Sequence, residues 1–279
     1  MTHFASLLPV IWPWLILMAA QIVAVAGGRM LCLALLTLFG AVALTTGLIT
    51  PIAFCTALAG LGGAAIIPRL SGYSAGFGHT AMILWAVALG AHLVPGFHNL
   101  LVLDQVQSGP DSTAFSMYLN LDKPLVLFAV LLAWPNMNTP IAQVRRFPLF
   151  VGLILLPLLF ATGLATGAVR PEIGLPEWWQ VFALANLLLT CLTEEAFFRG
   201  YLQSMISSKL GAALGIAAAS VLFGLVHWPG GMALVAFASI LGAACGLGYY
   251  ATGRLWVPTL MHFVFNAAHL VFFTYPGPA

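Results

Sequence analysis

Charge is what this 279-residue chain has least of. Nine Lys and Arg and seven Asp and Glu make up 6% of it, while 62% is apolar, far from the quarter charged of a typical soluble domain. A water-soluble fold is excluded. Cysteine is scarce too: Cys32, Cys55, Cys191 and Cys245 lie inside apolar runs without CxxC spacing, which argues against a disulfide framework or a thiolate zinc site. The formal charge of +2 implies neither nucleic-acid binding nor a polybasic lipid-binding tail. The apolar runs lack the alternation of barrel strands and are too long for them. The first run contains Pro9 and Pro13 and no basic leader, so it reads as an anchor rather than a cleavable signal.

What is present is apolar length, with a mean hydropathy of +1.04. Ten runs can be drawn, at about 5–27, 30–49, 51–68, 78–96, 124–139, 147–168, 179–206, 211–228, 231–251 and 256–275. Each approaches the roughly 20 residues that a helix needs to cross a bilayer. The expected fold is an all-α polytopic transmembrane bundle of about 8–10 spans. A polar connection from Gly96 to Asp122 suggests a boundary, giving an N-terminal helical block, 1–121, and a second block, 122–279. Gly242 and Gly246 form a GxxxG step suited to close helix packing. Alternate loops divide the basic residues unevenly. Arg29, Arg69, Arg145, Arg146, Lys209 and Arg254 share one set, predicting that this face is cytoplasmic and both termini are outside.

Three charges break the pattern. Glu194 and Glu195 sit in an apolar run with Arg199 four residues after Glu195, the spacing of an ion pair on one helix face. Intramembrane charge is costly and marks functional sites. Glu194 projects about 100° away from Glu195, so the two carboxylates need not share a role. His227 ends a run broken by Pro229, Gly230 and Gly231, and His262, Asn266 and His269 share a face of the last run. His269, like His79 and His92, reads as a packing or interfacial group. Glu194 lies fifteen residues before Lys209 and His227 eighteen after it, similar depths on adjacent helices. His262 lies only eight residues beyond Arg254, so straight full spans would hold it away from His227. A carboxylate, two imidazoles and a carboxamide suffice to add water to an amide. No serine or cysteine stands near a histidine in a recognisable motif, so acyl-enzyme chemistry is not the first reading.

Glu194-Glu195 with Arg199, Phe223 with His227, and His262 with Asn266 resemble the EExxxR, FxxxH and HxxxN motifs of the CPBP family. That family contains the type II CAAX prenyl endopeptidases and their bacterial Abi relatives. The resemblance covers about residues 179–275. It implies an intramembrane endopeptidase in which Glu194 activates water, assisted by His227, while His262 and Asn266 stabilise the oxyanion. Glu195 and Arg199 would be structural. It further implies a membrane-associated protein or peptide substrate and a multi-pass protein of a bacterial inner membrane. No cofactor is expected; zinc held by His227, His262 and Glu194 ranks second, as HExxH is absent. A non-catalytic immunity or scaffold protein is the alternative, and a transporter ranks third, for want of an inverted repeat.

Overall fold

The computed structural model of the chain describes residues 3–279. Among these the ten apolar runs become ten helices: α1 His3–Val25, α2 Arg29–Thr45, α3 Pro51–Ile66, α4 Gly72–Gly90, α5 Leu125–Ala133, α6 Arg146–Thr166, α7 Trp179–Leu210, α8 Ala212–Leu225, α9 Gly231–Thr252 and α10 Trp256–Phe272. Five helical stretches are long and apolar enough to cross a membrane, with three shorter apolar helices beside them. The protein is an α-helical, multi-pass membrane bundle.

Two elements differ from expectation. The Gly96–Asp122 connection is an antiparallel hairpin, β1 Leu100–Val106 with β2 Phe115–Leu119, whose register slips twice along its length. Its far end is tied to the end of the chain and to the α6–α7 connection. Thr113 N–H donates to Gly277 O at 3.0 Å, and Ser112 Oγ and the Asp111 N–H donate to the Glu172 carboxylate. The fifth run, meanwhile, is not a span. α5 has nine residues, seven of them buried, the pattern of a core helix enclosed on all sides. Beyond it the chain continues to Arg145 without regular helix. Backbone there is satisfied by neighbours: Ile141 N–H donates to Thr252 O at 3.1 Å and Arg145 N–H to Ala251 O at 2.9 Å. Asn138 spans α1 and α10, donating to Val25 O at 3.3 Å and accepting from Leu255 N–H at 2.9 Å.

The alternation of helices leaves Arg29, Arg69, Arg145, Arg146, Lys209 and Arg254 at one end of the bundle, with the hairpin and Asp104, Asp111, Asp122, Glu172 and Glu177 at the other. α9 packs against α6, α8 and α10. The GxxxG step explains how closely: a Cβ at Gly242 would come within 3.1 Å of both Ser220 Cα on α8 and Arg199 Nη2, and one at Gly246 within 2.9 Å of Gln203 Oε1. Gly224 performs the same service from α8, where a Cβ would stand 2.5 Å from the backbone oxygen of Val235. Backbone cannot yield as a side-chain tip does, so Gly224→Ala should separate α8 from α9. We expect a loss of about 1–3 kcal/mol, the usual cost of overpacking, read as a lowered thermal midpoint in detergent.

Candidate active site

The helix carrying the glutamates is not a regular α-helix. Residues Ala185–Leu192 and Ala196–Gln203 are π-helical and flank Thr193–Glu195. Such turns close i→i+5 bonds, widen the helix and recur at functional sites. Their spacing is visible in side-chain contacts: the Cys191 thiol donates to Asn186 Oδ1 at 3.2 Å, and Ser204 Oγ donates to Arg199 O at 3.2 Å, each five residues back.

The adjacent glutamates occupy different environments. The Glu195 side chain is fully buried, accepting from Arg199 Nη1 at 2.9 Å and from His262 Nδ1 at 2.8 Å on the same oxygen. It is the centre of a buried triad that fixes the His262 ring. Its Oε2, with Nε and Nη2 of Arg199, has no protein partner. Glu194 retains 14% exposure and accepts from Lys123 Nζ at 2.6 Å. Only Glu194 is therefore reachable by water.

His227 sits just past the end of α8, and its Nδ1–H donates to Phe223 O at 2.8 Å. A carbonyl only accepts, so the proton is on Nδ1 and Nε2 remains free to accept. Phe223 does more than supply that carbonyl. Its ring centroid lies 4.9 Å from His227 and 5.5 Å from His262, and the Arg199 guanidinium carbon lies 4.4 Å from it. One phenyl ring thus spaces the two imidazoles and covers the buried cation, a physical reason for both ends of the FxxxH motif. The conflict of depths is resolved in part because α8 has only fourteen residues, about 21 Å, and stops short of the far face.

Asn266 Nδ2 donates to Asn186 Oδ1 at 3.1 Å and approaches Cys191 Sγ at 3.7 Å; Cys191 also lies against His262. His227 and His262 thus meet on either side of Phe223, and Asn266 is joined to Asn186 and Cys191 on α7, the helix that also carries Glu194. Three other histidines have partners of their own: His269 bonds Thr274 O, His79 bonds the Tyr201 hydroxyl, and His92, which lines the cavity beside Asn186, bonds Asp122.

Among the described residues no three His, Cys, Asp or Glu side chains lie close enough together to hold a metal ion as they stand. Sequence reasoning missed Lys123, Asn186 and Cys191. Lys123 had a signal: it is a basic residue at the start of an apolar run on the acid-rich face, with no other counter-charge given to Glu194. Asn186 stands two four-residue steps before Glu194 on α7. A cavity of about 310 Å3 adjoins the cluster, with Asn186 and Thr190 on one wall and β2 on another.

An integral membrane bundle that carries carboxylate, imidazole and carboxamide side chains on neighbouring helices holds the groups that hydrolysis within a membrane would use. Residues 176–268 match the family model described as Type II CAAX prenyl endopeptidase Rce1-like. These residues, about a third of the chain, hold the Glu194-Glu195, Phe223-to-His227 and His262-to-Asn266 motifs and are similar to the type II CAAX prenyl endopeptidases. Neither the curated proteins nor the solved structures contain a match to the chain.

Proposed function

We propose that the protein hydrolyses a peptide bond of a membrane-associated substrate, near its membrane end, with a water activated by Glu194. The observation that carries this reading is the asymmetry of the two glutamates: one fully buried between Arg199 and His262, its neighbour partly exposed and paired only with Lys123. Lys123 occupies Oε1 of Glu194 and leaves Oε2 to take the proton of water, assisted by His227 Nε2 as a second acceptor. The new C–O bond forms as negative charge develops on the carbonyl oxygen. His262, held through Nδ1 by the Glu195 carboxylate, donates to that oxygen from Nε2 when both ring nitrogens carry protons, a form that the buried carboxylate favours, beside the Asn266 carboxamide. Donors of this kind contribute about 3–4 kcal/mol each. Collapse breaks the C–N bond, and the proton held by Glu194 passes to the leaving amine.

The test uses purified protein in proteoliposomes with a farnesylated peptide ending in a CAAX sequence and with other membrane-anchored peptides. Cleavage that is lost in His227→Ala while the protein remains folded supports the reading. Cleavage at the native rate by that variant overturns the assigned roles. Lys123→Met should lower kcat at least about tenfold, the effect of losing some 1.4 kcal/mol of orientation at the transition state, with KM little changed. Lys123→Arg should restore part of the rate.

A further inference from the structure

β2 is paired on one edge only. β1 takes that edge, and along the other the sole protein bond among the described residues of the strand runs from Trp14 Nε1 to Leu119 O, at 3.0 Å. The cavity lies along β2: four consecutive residues, 115–118, form one wall and Asn186 and Thr190 of α7 form the opposite one. Asn186 is the partner of Asn266, and Thr190 precedes Glu194 by one four-residue step. The cavity therefore borders the candidate active site through Asn186, the side chain that holds Asn266. Its volume, about 310 Å3, is at the lower end of pockets that enclose ligands.

Hydrolysis of an amide requires an exposed carbonyl, whereas a helix hides each carbonyl in its own hydrogen bonds. A substrate segment must therefore be extended at the cut. An open strand edge is the natural receptor for an extended chain, since main-chain bonds supply affinity without regard to side-chain identity. β2 is also held in place. The Phe115 ring stacks on Trp178 with centroids 5.8 Å apart and meets Tyr275 edge-on at 5.1 Å, while Thr113, just before the strand, is tied to Gly277. A receptor strand fixed in advance loses little entropy on binding.

We propose that the substrate binds as a third strand on the free edge of β2, along the cavity, so that its next carbonyl is presented to Glu194 and Asn266. This rests on the endopeptidase reading and adds to it a mode of recognition: extended backbone, read by the N-terminal part of the chain, outside the family-matched residues 176–268.

The experiment places Tyr118→Cys in the inert Glu194→Gln protein, with Cys55→Ser to remove the exposed native thiol, and walks a cysteine through the farnesylated CAAX peptide on both sides of the cut. The same protein without Tyr118→Cys subtracts any cross-link to Cys191. Strand addition expects disulfides at every second peptide position, whether or not the native protein cleaves the peptide. A second measurement scans backbone N-methylation through the peptide against the protein carrying Tyr118 and Cys55 unchanged. Binding should weaken by about two- to tenfold per lost hydrogen bond, at alternate residues only. Cross-links spaced by three or four residues, or absent from a peptide that the native protein cleaves, overturn the inference and leave the endopeptidase reading intact. Absence of both cross-linking and cleavage overturns the two together.

Discussion

Glu194→Gln should slow peptide hydrolysis by about two to four orders of magnitude, the range contributed by a positioned general base, and leave the fold in place. The amide is nearly isosteric with the carboxylate, and its oxygen can still accept from Lys123 Nζ, so packing around the site is preserved. What it cannot do is take a proton from water. Single-turnover cleavage in proteoliposomes reads the rate, and the thermal midpoint in detergent reads the fold. A variant that cleaves at the native rate would assign the base elsewhere. If the native protein cleaves nothing and Glu194→Gln leaves its cellular phenotype unchanged, the site serves binding to a partner instead.

Arg199→Met should have the largest effect on stability, about 3–5 kcal/mol, because it leaves the Glu195 carboxylate buried without its cation. Both side chains are fully buried, and the only other group on Glu195 is His262. Activity should fall as well, since a carboxylate that has lost one partner no longer holds the imidazole at a fixed angle. The double variant Glu195→Gln with Arg199→Met should recover a substantial part of the lost stability, because the charge is removed from both sides and not from one. Unfolding titrations of the two single variants and the double variant complete the cycle. A single-variant loss below about 1 kcal/mol would reduce the triad to an incidental contact.

The parts of this molecule legible in the sequence are those encoded locally. Apolar runs located all ten helices, because crossing lipid demands length and apolarity that nothing else in a chain requires. The i,i+4 spacing of Glu195 and Arg199 was a sufficient signal for their pairing, and the six basic residues sorted to one end of the bundle by counting spans. Nonlocal features were hidden. β1 and β2 pair across a turn with a slipped register, and LLVLDQV carries no period-two alternation to separate it from a helical run. Lys123 meets Glu194 across 71 positions, a contact that no periodicity encodes. The π-helical turns around Glu194 and Glu195 have no proline behind them and left no mark in composition. The nine-residue length of α5 was only hinted at by Pro135 and Pro140.

α5 and the irregular segment after it reach from the hairpin end to the basic end of the bundle with less than half a span of helix. Peptide groups in such a stretch could not remain in bare lipid, where no donor or acceptor would meet them. Those at Ile141 and Arg145 are met by Thr252 and Ala251, which the ribosome adds more than a hundred residues afterwards. Biogenesis of this protein therefore cannot run strictly from the first helix to the last: the middle of the polypeptide must wait at the bilayer surface, or in the shelter of the insertion machinery, until its final hairpin of helices arrives to receive it.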